Sequence, residues 1–470
     1  MNKNTRNAFF FILWMSLSAL ACNLSNNPSS RPPTLVPAPP GVTPQATIGY
    51  ATPSANGQIP VNGNTNVNNS VDVELYNLTS QVQADNLMSH IYALEGFYTR
   101  HVNSSQTDPN RGIGAARNYI HNQFLTLSAN SNGNFTTFLQ QVQTDHNGQR
   151  TLQYNVVGVL NGTEAGAGII VVGAHYDSRT DDPTDAVGFA PGADDNGSGV
   201  AAVIELARIL GRNPMRSTVI FVLFTSEEVG RQGSREFVSQ YINGLGLGDQ
   251  VTAMLNLDTI GSVNSSTGAI NDTQIRVFSD ADNNSASRQL AREIELIGIN
   301  YQLDLEINLQ LQRDRDGRYG DHFSFIEQGY PAVRFIEALE DNYNREGRDT
   351  RDLVEPYYLV KSTSTILSII KVLGDGPRPP RQLVMRESGT TDEQGNRQFT
   401  LIWDQVPGAT SYMVALRRAG SPQYDQMFAW AENAIDNWSG FSGYEAVVVA
   451  SVDENGLIGP VSQEYLIRGN

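Results

Sequence analysis

Residues Val171 to Leu206 read VVGAHYDSRTDDPTDAVGFAPGADDNGSGVAAVIEL, and they join an apolar run, a long polar loop and a second apolar segment. The first run, VVGAH, is mostly apolar, as expected for a buried strand, and ends at His175. The last segment, GVAAVIEL, places apolar side chains at helical spacing. A strand that leads through a loop into a helix is the repeating unit of α/β proteins, so this stretch predicts that fold class.

The same pattern recurs on both sides of this stretch. The segments LMSHIYALEGFYTR and GAARNYIHNQFLTL have helical spacing, and short apolar runs follow them: GIIVVGAH, STVIFVLFTS, AMLNLD and PAVRFIE. These runs alternate with helical stretches, which is typical of a mostly parallel sheet with helices on both faces. We therefore predict one α/β domain over residues 72–375. The pattern leaves the order of the strands open.

Residues that commonly bind metal ions stand at or just after the ends of three of these apolar runs, in the Gly-rich loop before the helix GVAAVIELARIL, and in the loop just before PAVRFIE. The chain has a single cysteine, so a metal site within it must use His, Asp and Glu. In an open parallel sheet such groups collect where the strands end at their carboxyl edges. Taken one at a time, each has an ordinary structural explanation, such as a capped turn or a hydrogen-bonded histidine. Their occurrence together predicts a metal site, and the candidates are His175, Asp177, Asp194, Asp195, Glu227, Glu228, Asp258 and His322.

Several segments resemble the co-catalytic di-zinc aminopeptidases, the group that includes bacterial leucyl aminopeptidase and aminopeptidases S and Y. The matching pieces are NVVGVLNG, GAHYDS, PGADDNGSGVAAVIELAR, FVLFTSEEVGRQGSREFV, NLDTIG and DHFSF, within roughly residues 155–337. The resemblance implies the zinc exopeptidase fold, two zinc ions per chain and peptides as substrates.

The resemblance also implies a role for each ligand. His175 and Asp258 match the ligands of one zinc ion. Glu228 and His322 match ligands of the second ion, and Asp195 matches the carboxylate that bridges the two.

Asp194 competes with Asp195 for the bridging role. We assign the role to Asp195 because the bridging Asp of the family directly precedes the three residues before the last Gly of the motif, which is Gly199 here.

Asp177 and Glu227 match family residues that act without binding metal. Asp177 resembles the carboxylate that orients a ligand histidine through its other ring nitrogen, here His175. Glu227 resembles the general base that takes a proton from water and passes it to the leaving amine. The three ligand carboxylates offset most of the charge of two zinc ions, so such a site can be buried at tolerable cost.

The function predicted from these features is that of an exported zinc aminopeptidase acting on peptides. Two alternatives remain open: a related zinc amidohydrolase, such as a carboxypeptidase or a glutaminyl cyclase, and an inactive relative that serves as a binding module. The compact segment SEEVGRQGS favours aminopeptidases over cyclases, and the complete ligand set with Glu227 argues against an inactive relative. Asn344 stands where family members often have a His, so a substrate contact of that kind is not expected there.

The beginning of the chain predicts export. MNKNTRNAFFFILWMSLSALAC combines basic residues with an apolar run too short for a comfortable membrane span, as in a signal peptide over residues 1–22. Its end, ALAC, resembles a bacterial lipobox, so we expect lipidation of Cys22 and membrane anchoring, with a plain secreted enzyme as the alternative. Residues 23–71 are predicted to be a disordered Pro/Asn-rich tether, because residues 23–70 hold nine of the 21 prolines and one charged residue.

The end of the chain has a different composition. Three of the four tryptophans lie beyond residue 400, and residues 382–468 resemble a fibronectin type III domain, which is a small β-sandwich. Every proposed zinc ligand lies before residue 323, so we expect this domain to be dispensable for the chemistry. The net charge of −17 and the pI of about 4.8 argue against nucleic acid as a partner. The oligomeric state is not predicted.

Overall fold

One large central sheet and two smaller C-terminal sheets organise the chain. The computed structural model describes residues 34–35, 69–301, 303–315, 317–340 and 347–467. The α-helices of these residues are α1 Asn69–Thr79, α2 Ala84–Gly96, α3 Ile113–Ala129, α4 Gly197–Leu210, α5 Gln232–Glu236, α6 Ala286–Tyr301, α7 His322–Ile326 and α8 Pro356–Asp375. Their strands are β1 Thr34–Leu35, β2 Phe135–His146, β3 Gln149–Leu160, β4 Ile169–His175, β5 Thr218–Phe224, β6 Val251–Leu257, β7 Gln274–Phe278, β8 Glu306–Leu309, β9 Ala332–Glu337, β10 Val384–Thr391, β11 Arg397–Ile402, β12 Ser411–Arg417, β13 Gln426–Trp430, β14 Ala434–Trp438, β15 Ala446–Val452, β16 Ile458–Val461 and β17 Tyr465–Leu466.

The central sheet has the strand order β2-β3-β5-β4-β6-β9-β7-β8. Its four middle strands, β5, β4, β6 and β9, run parallel and correspond to the four apolar runs of the sequence. At one edge β3 and β2 add antiparallel pairings, and at the other edge β7 is antiparallel to β9 and parallel to β8. The predicted α/β fold with a mostly parallel central sheet is therefore confirmed.

Helical segments cover both faces of this sheet. In β4, Ile170 and Val172 belong to a large core that includes residues of α4 and α8. Ile169 and Val171 belong to a smaller core on the other face, with side chains of the π-helical segment Phe237–Asn243. A strand buried on both faces is apolar at every position, which explains why these strands are continuous apolar runs in the sequence.

The start of α4 is fastened to the end of β6. The side chain of Asn196 accepts a hydrogen bond from the backbone N–H of Gly199 at 3.0 Å, which caps the helix. The same side chain donates to the carbonyl of Leu257 at 2.9 Å. A Cβ atom at Gly199 would lie 2.4 Å from that carbonyl oxygen, so this close approach requires glycine. The loop before α4 is thereby held next to the carboxyl end of β6.

The C-terminal strands form two sheets that pack face to face. One sheet has the order β10-β11-β14, and the other has the order β1-β13-β12-β15-β16, with β17 also paired to β15. All of these pairings are antiparallel except that of β1 with β13. Buried Trp403, Val414 and Phe441 belong to the core between the sheets. The predicted small C-terminal β-sandwich is confirmed, whereas the fibronectin type III assignment and the boundaries 382–468 stay predictions.

The sandwich packs against α6 of the α/β domain. Leu296 of α6 lies in an apolar cluster with Met413 and Val448 of the sandwich. Buried Arg292 pairs with Glu464, with 2.8 Å between Nη2 and Oε1. The sandwich therefore covers one side of α6, so its removal is expected to affect stability even if it leaves the chemistry intact.

The N-terminal predictions fall mostly on residues that the structure does not describe. The predicted signal peptide with Cys22 lies outside the described residues, as does Asn344. Of the predicted tether 23–71, the structure describes Thr34–Leu35 and the first residues of α1. Among the described helices, none combines the length and the apolar composition that crossing a bilayer requires.

Candidate metal centre

Three neighbouring parallel strands bring the candidate ligands to one edge of the central sheet. β4 ends at His175, and β6 ends one residue before Asp258. β5 ends at Phe224, shortly before Glu227 and Glu228. Because β4 pairs in parallel with both β5 and β6, the carboxyl ends of the three strands lie side by side.

His175, Asp195 and Asp258 form the centre of the site. Each offers a ligand atom, and these atoms all lie within 4.8 Å of one another. Nε2 of His175 is 3.2 Å from Oδ1 of Asp195 and 3.6 Å from Oδ1 of Asp258. All three side chains are buried. Two carboxylates buried side by side are costly unless a positive charge compensates them, so this group suits a metal ion.

The structure brings Asp195, and not Asp194, into this group. Oδ1 of Asp194 instead accepts the backbone N–H of Gly261 at 2.9 Å. The backbone N–H groups of Asp194 and Asp195 both donate to the carboxylate of Asp349, at 2.9 Å each. Asp349 was not among the residues predicted from the sequence, and it positions the loop that carries Asp195.

Asp177 accepts hydrogen bonds from the backbone of two other candidate residues. Its Oδ1 and Oδ2 accept the backbone N–H groups of Glu227 and Glu228 at 3.0 and 3.1 Å. Nδ1 of His175 is 3.1 Å from the carbonyl oxygen of Asp177 and 3.6 Å from its Oδ1. The carbonyl of Asp177 is thus the closer acceptor for His175, and its carboxylate mainly orders the glutamates, while the orienting role of that carboxylate stays a prediction.

Glu227 and Glu228 both face the cleft in front of the central group. The preceding residue, Ser226, has φ of 61°, a left-handed conformation that is uncommon outside glycine. Burial raises the pKa of Glu227 well above its ordinary value; the neighbouring His175 opposes this rise, and Asp321 adds to it. A carboxylate in such surroundings ionises readily when a cation lies beside it, which a bound metal ion would provide.

Two predicted ligands, Glu228 and His322, lie outside the central group, and His322 is the one that does not line the cleft. It is the first residue of α7, is fully buried and does not line the cleft. Within the described part of the chain, neither ring nitrogen makes a hydrogen bond of normal geometry, and the nearest polar partner of the ring is the backbone of Arg313. Burial lowers the pKa of His322 to about 4, with Asp314 opposing, so the ring is neutral at pH 7 as a metal ligand must be. The loop before it reaches the site, because a Cβ atom at Gly320 would lie 3.0 Å from Oδ2 of Asp258.

Arg334 of β9 is a site residue that the sequence analysis missed. Its Nη2 lies 3.1 Å from Oδ2 of Asp258, and its Nη1 donates to Oδ2 of Asp314 at 2.9 Å. Burial favours the neutral form of Asp258, but Arg334 and His175 outweigh it and hold the pKa of Asp258 well below its ordinary value. The available signal was an arginine in the middle of the apolar run PAVRFIE, where a charge needs a buried partner.

These groups border one open cleft. Its lining is strongly polar and contains charges of both signs. At its edge, Nε of Arg179 is 3.3 Å from Oε2 of Glu228. The lining residues are His175, Arg179, Asp195, Glu227, Glu228, Asp258, Arg315, Gly317, Arg318, Tyr319 and Arg334.

An α/β fold that gathers a buried histidine and carboxylates at the carboxyl edge of parallel strands, open to a polar cleft, defines the class of metal-dependent hydrolases. The fold and the site of this chain have these features.

The chain belongs to peptidase family M28. The sequence profile described as Peptidase family M28 matches residues 155–370. A protein of Pyrenophora tritici-repentis (strain Pt-1C-BFP) named "Probable zinc metalloprotease" is 30% identical over 388 residues, which cover 75% of this chain and 88% of the fungal protein. A protein of the same name from Phaeosphaeria nodorum is 32% identical over 398 residues, 75% of this chain and 79% of its own. The predicted membership of the zinc aminopeptidase family is thus confirmed.

A solved structure agrees with the fold. The crystal structure of the LapA aminopeptidase of Legionella pneumophila aligns with a TM-score of 0.51 at 22% identity, over 66% of this chain and 78% of the Legionella chain. At this level of identity the likeness concerns the fold alone.

Proposed function

We propose that this protein is a zinc-dependent aminopeptidase that removes the first residue of peptides. The observation that carries the proposal is the buried group of His175, Asp195 and Asp258, with Glu227 beside it in the same cleft. Membership of peptidase family M28 supports hydrolysis of a peptide bond, and the fungal relatives are named zinc metalloproteases. The motifs that resemble the co-catalytic aminopeptidases favour release of N-terminal residues over other amide hydrolysis.

We propose that the donor set would hold two zinc ions. We assign His175 and Asp258 to one ion, Glu228 and His322 to the other, and Asp195 to both. Imidazole nitrogens and carboxylate oxygens are the ligands of catalytic zinc, and neither nitrogen of the buried His322 ring makes a side-chain hydrogen bond of normal geometry. When bound, zinc acidifies a water molecule and polarises the carbonyl of the scissile bond.

Glu227 is the proposed general base. It accepts a proton from the attacking water and passes it to the amine that leaves, so its carboxylate is regenerated in each cycle. The hydrogen bond from its backbone N–H to Asp177 holds its main chain at the end of β5. Asp177 is therefore a positioning residue, because it acts through Glu227 and Glu228 without lining the cleft.

Hydrolysis by the full-length protein tests this proposal. An aminopeptidase cleaves leucine p-nitroanilide but not its N-acetylated form, because the blocked amine no longer fits. A peptide with a blocked N-terminus and a free C-terminus reports the carboxypeptidase alternative. We expect two zinc ions per chain by metal analysis, loss of activity on dialysis against a chelator, and recovery with zinc. Full activity in verified metal-free protein would rule the mechanism out, and equal cleavage of the acetylated substrate would rule out an aminopeptidase.

We also propose that the protein is exported and anchored at the cell surface by a lipid on Cys22. The signal-like first 22 residues and the sequence ALAC support this. The Pro/Asn-rich segment 23–71 would then be a flexible linker between the membrane and the enzyme. Mass spectrometry of the N-terminal peptide of the exported protein tests this. An unmodified N-terminus at a residue other than Cys22 would indicate a plain secreted enzyme.

A further inference from the structure

Four arginines line the cleft beside the proposed zinc ligands. Two of them, Arg179 and Arg334, contact the proposed ligands Glu228 and Asp258. The other two are Arg315 and Arg318, which come from the loop between β8 and α7. The proposed reaction at the zinc ligands and Glu227 gives these two arginines no role.

Arg315 and Arg318 lie on one tight turn. The backbone N–H of Arg318 donates to the carbonyl of Arg315 at 3.0 Å. Both guanidinium groups bind Oε1 of Glu340, at 3.0 Å in the case of Nη2 of Arg318. A guanidinium has five N–H donors, so it can bind more than one carboxylate at a time, as Arg315 does with Glu340 and with Asp314, which is 3.2 Å away between Nε and Oδ1. Their side chains are 16% and 26% exposed, which leaves both accessible from the cleft.

The charge around this turn favours an anionic ligand. The acidic residues that line the cleft are the proposed zinc ligands and base, whose charge bound zinc would offset. Burial lowers the pKa of Arg315 to about 9; Arg334 and Arg318 add to the shift, and Asp314 opposes it. Outside the proposed zinc ligands, Arg315, Arg318 and Arg334 pair with two carboxylates, those of Asp314 and Glu340, so positive charge is in excess at the turn. A carboxylate from the substrate would relieve that excess.

We propose that Arg315 and Arg318 bind a carboxylate of the peptide substrate. This inference rests on the proposed function, and it defines the substrate class. Two carboxylates of a peptide have this chemistry: the side chain of an Asp or Glu at the first position, and the C-terminus of a short peptide. Tyr319 lines the cleft next to the turn and stacks on Phe323, with ring centroids 4.5 Å apart. The Tyr319 ring gives an apolar surface against which the methylene groups of the substrate that precede its carboxylate can pack.

Substrate pairs that differ by a carboxylate and an amide distinguish the two sources. Glutamyl and glutaminyl p-nitroanilide differ at the side chain alone, and Leu-Leu and Leu-Leu amide differ at the C-terminus alone. We expect zinc-loaded full-length protein to prefer the carboxylate member of one pair by about tenfold or more in kcat/KM, as expected for charge-assisted hydrogen bonds. Preference in the first pair identifies the side chain as the source, and preference in the second identifies the C-terminus.

Substitutions of Arg318 test whether this residue produces the preference. Arg318→Gln removes the charge, so the kcat/KM ratio of the preferred pair should fall towards one. Arg318→Lys keeps the charge but loses the planar guanidinium that can bind a carboxylate with two hydrogen bonds, so the kcat/KM ratio should be intermediate. Arg313→Gln is the matched control: Arg313 lies on the same loop, is 50% exposed, and pairs with Asp280 at 2.9 Å outside the cleft lining. The ratio in this control should equal that of the wild type.

Calorimetric titration of the same proteins with L-glutamate, L-glutamine and the dipeptide pair gives a readout without turnover. Cleavage of leucine p-nitroanilide with no carboxylate preference in rates or affinities overturns the inference and leaves the proposed function standing. A preference that survives Arg318→Gln also overturns it. A binding preference that Arg318→Gln removes, in protein that cleaves none of the amides, upholds carboxylate binding at Arg318 and rejects the proposed function.

Discussion

Replacing Asp177 with Asn should disable the site although it changes no proposed zinc ligand. The two carboxylate oxygens of Asp177 accept the backbone N–H groups of Glu227 and Glu228 at 3.0 and 3.1 Å, and the residue is fully buried. Asn has one acceptor oxygen and an NH2 group in place of the second. One of the two backbone N–H groups would therefore face another donor.

The size of the effect follows from these two contacts. A hydrogen bond to a charged acceptor contributes about 1.5–3 kcal/mol, and a buried donor left without an acceptor costs about 1–3 kcal/mol. The two contributions overlap, so we expect the free energy of unfolding to fall by about 3 kcal/mol, with a lower Tm. If the glutamate turn shifts instead, Glu227 is misplaced, and kcat should fall by about 100-fold, the lower end of what a positioned general base contributes.

Three measurements on Asp177→Asn test this reasoning: thermal unfolding, zinc content, and kcat for leucine p-nitroanilide. Asp185→Asn is the matched control, because Oδ1 of Asp185 also accepts two backbone N–H groups, those of Val187 and Gly188 at 3.0 and 2.8 Å. That loop lies outside the lining of the cleft, so the control should keep wild-type kcat. Wild-type Tm together with wild-type kcat in Asp177→Asn would refute a positioning role for Asp177.

Three further predictions concern the base, the sandwich and pH. Glu227→Gln should keep both zinc ions and lower kcat by at least about 100-fold, whereas Glu228→Gln should weaken one ion because an amide is a poorer ligand. Metal analysis with kinetics separates these outcomes, and the opposite pattern would mean that the roles are exchanged. A chain that ends at Gly374 should keep its zinc ligands but unfold at a lower temperature, because Leu296 of α6 loses its apolar contacts with the sandwich. An unchanged Tm would show that the sandwich does not stabilise α6. Burial raises the pKa of Glu293, in the interface with the sandwich, from 4.5 to about 8. The folded state therefore holds a proton that the unfolded state has released, and the free energy of unfolding should fall as the pH rises through that range. Glu293→Gln should flatten this slope in unfolding curves measured between these pH values, and an unchanged slope would exclude Glu293 as its source.

The α/β class and the candidate ligands could be predicted from the sequence because both are local features. Strands buried on both faces are mostly apolar, so β4, β5, β6 and β9 stand out as apolar runs, in which Arg334 of β9 is an exception. His175 and Asp258 lie directly at the ends of two of these runs, and Glu227 follows a third closely. Parallel strands with a common carboxyl edge necessarily bring such residues near one another.

The partners and directions of the side chains depend on contacts between distant segments, which local patterns do not encode. Asp195 faces His175 while Asp194 turns towards Gly261, although the two residues are adjacent and identical in type. Asp349 holds their backbone across 155 residues of chain. Arg334 reaches the site because β9 lies beside β6, an adjacency that follows from the strand order. Composition and spacing determine which segments become strands and helices, whereas the packing of the complete sheet determines which buried charges meet.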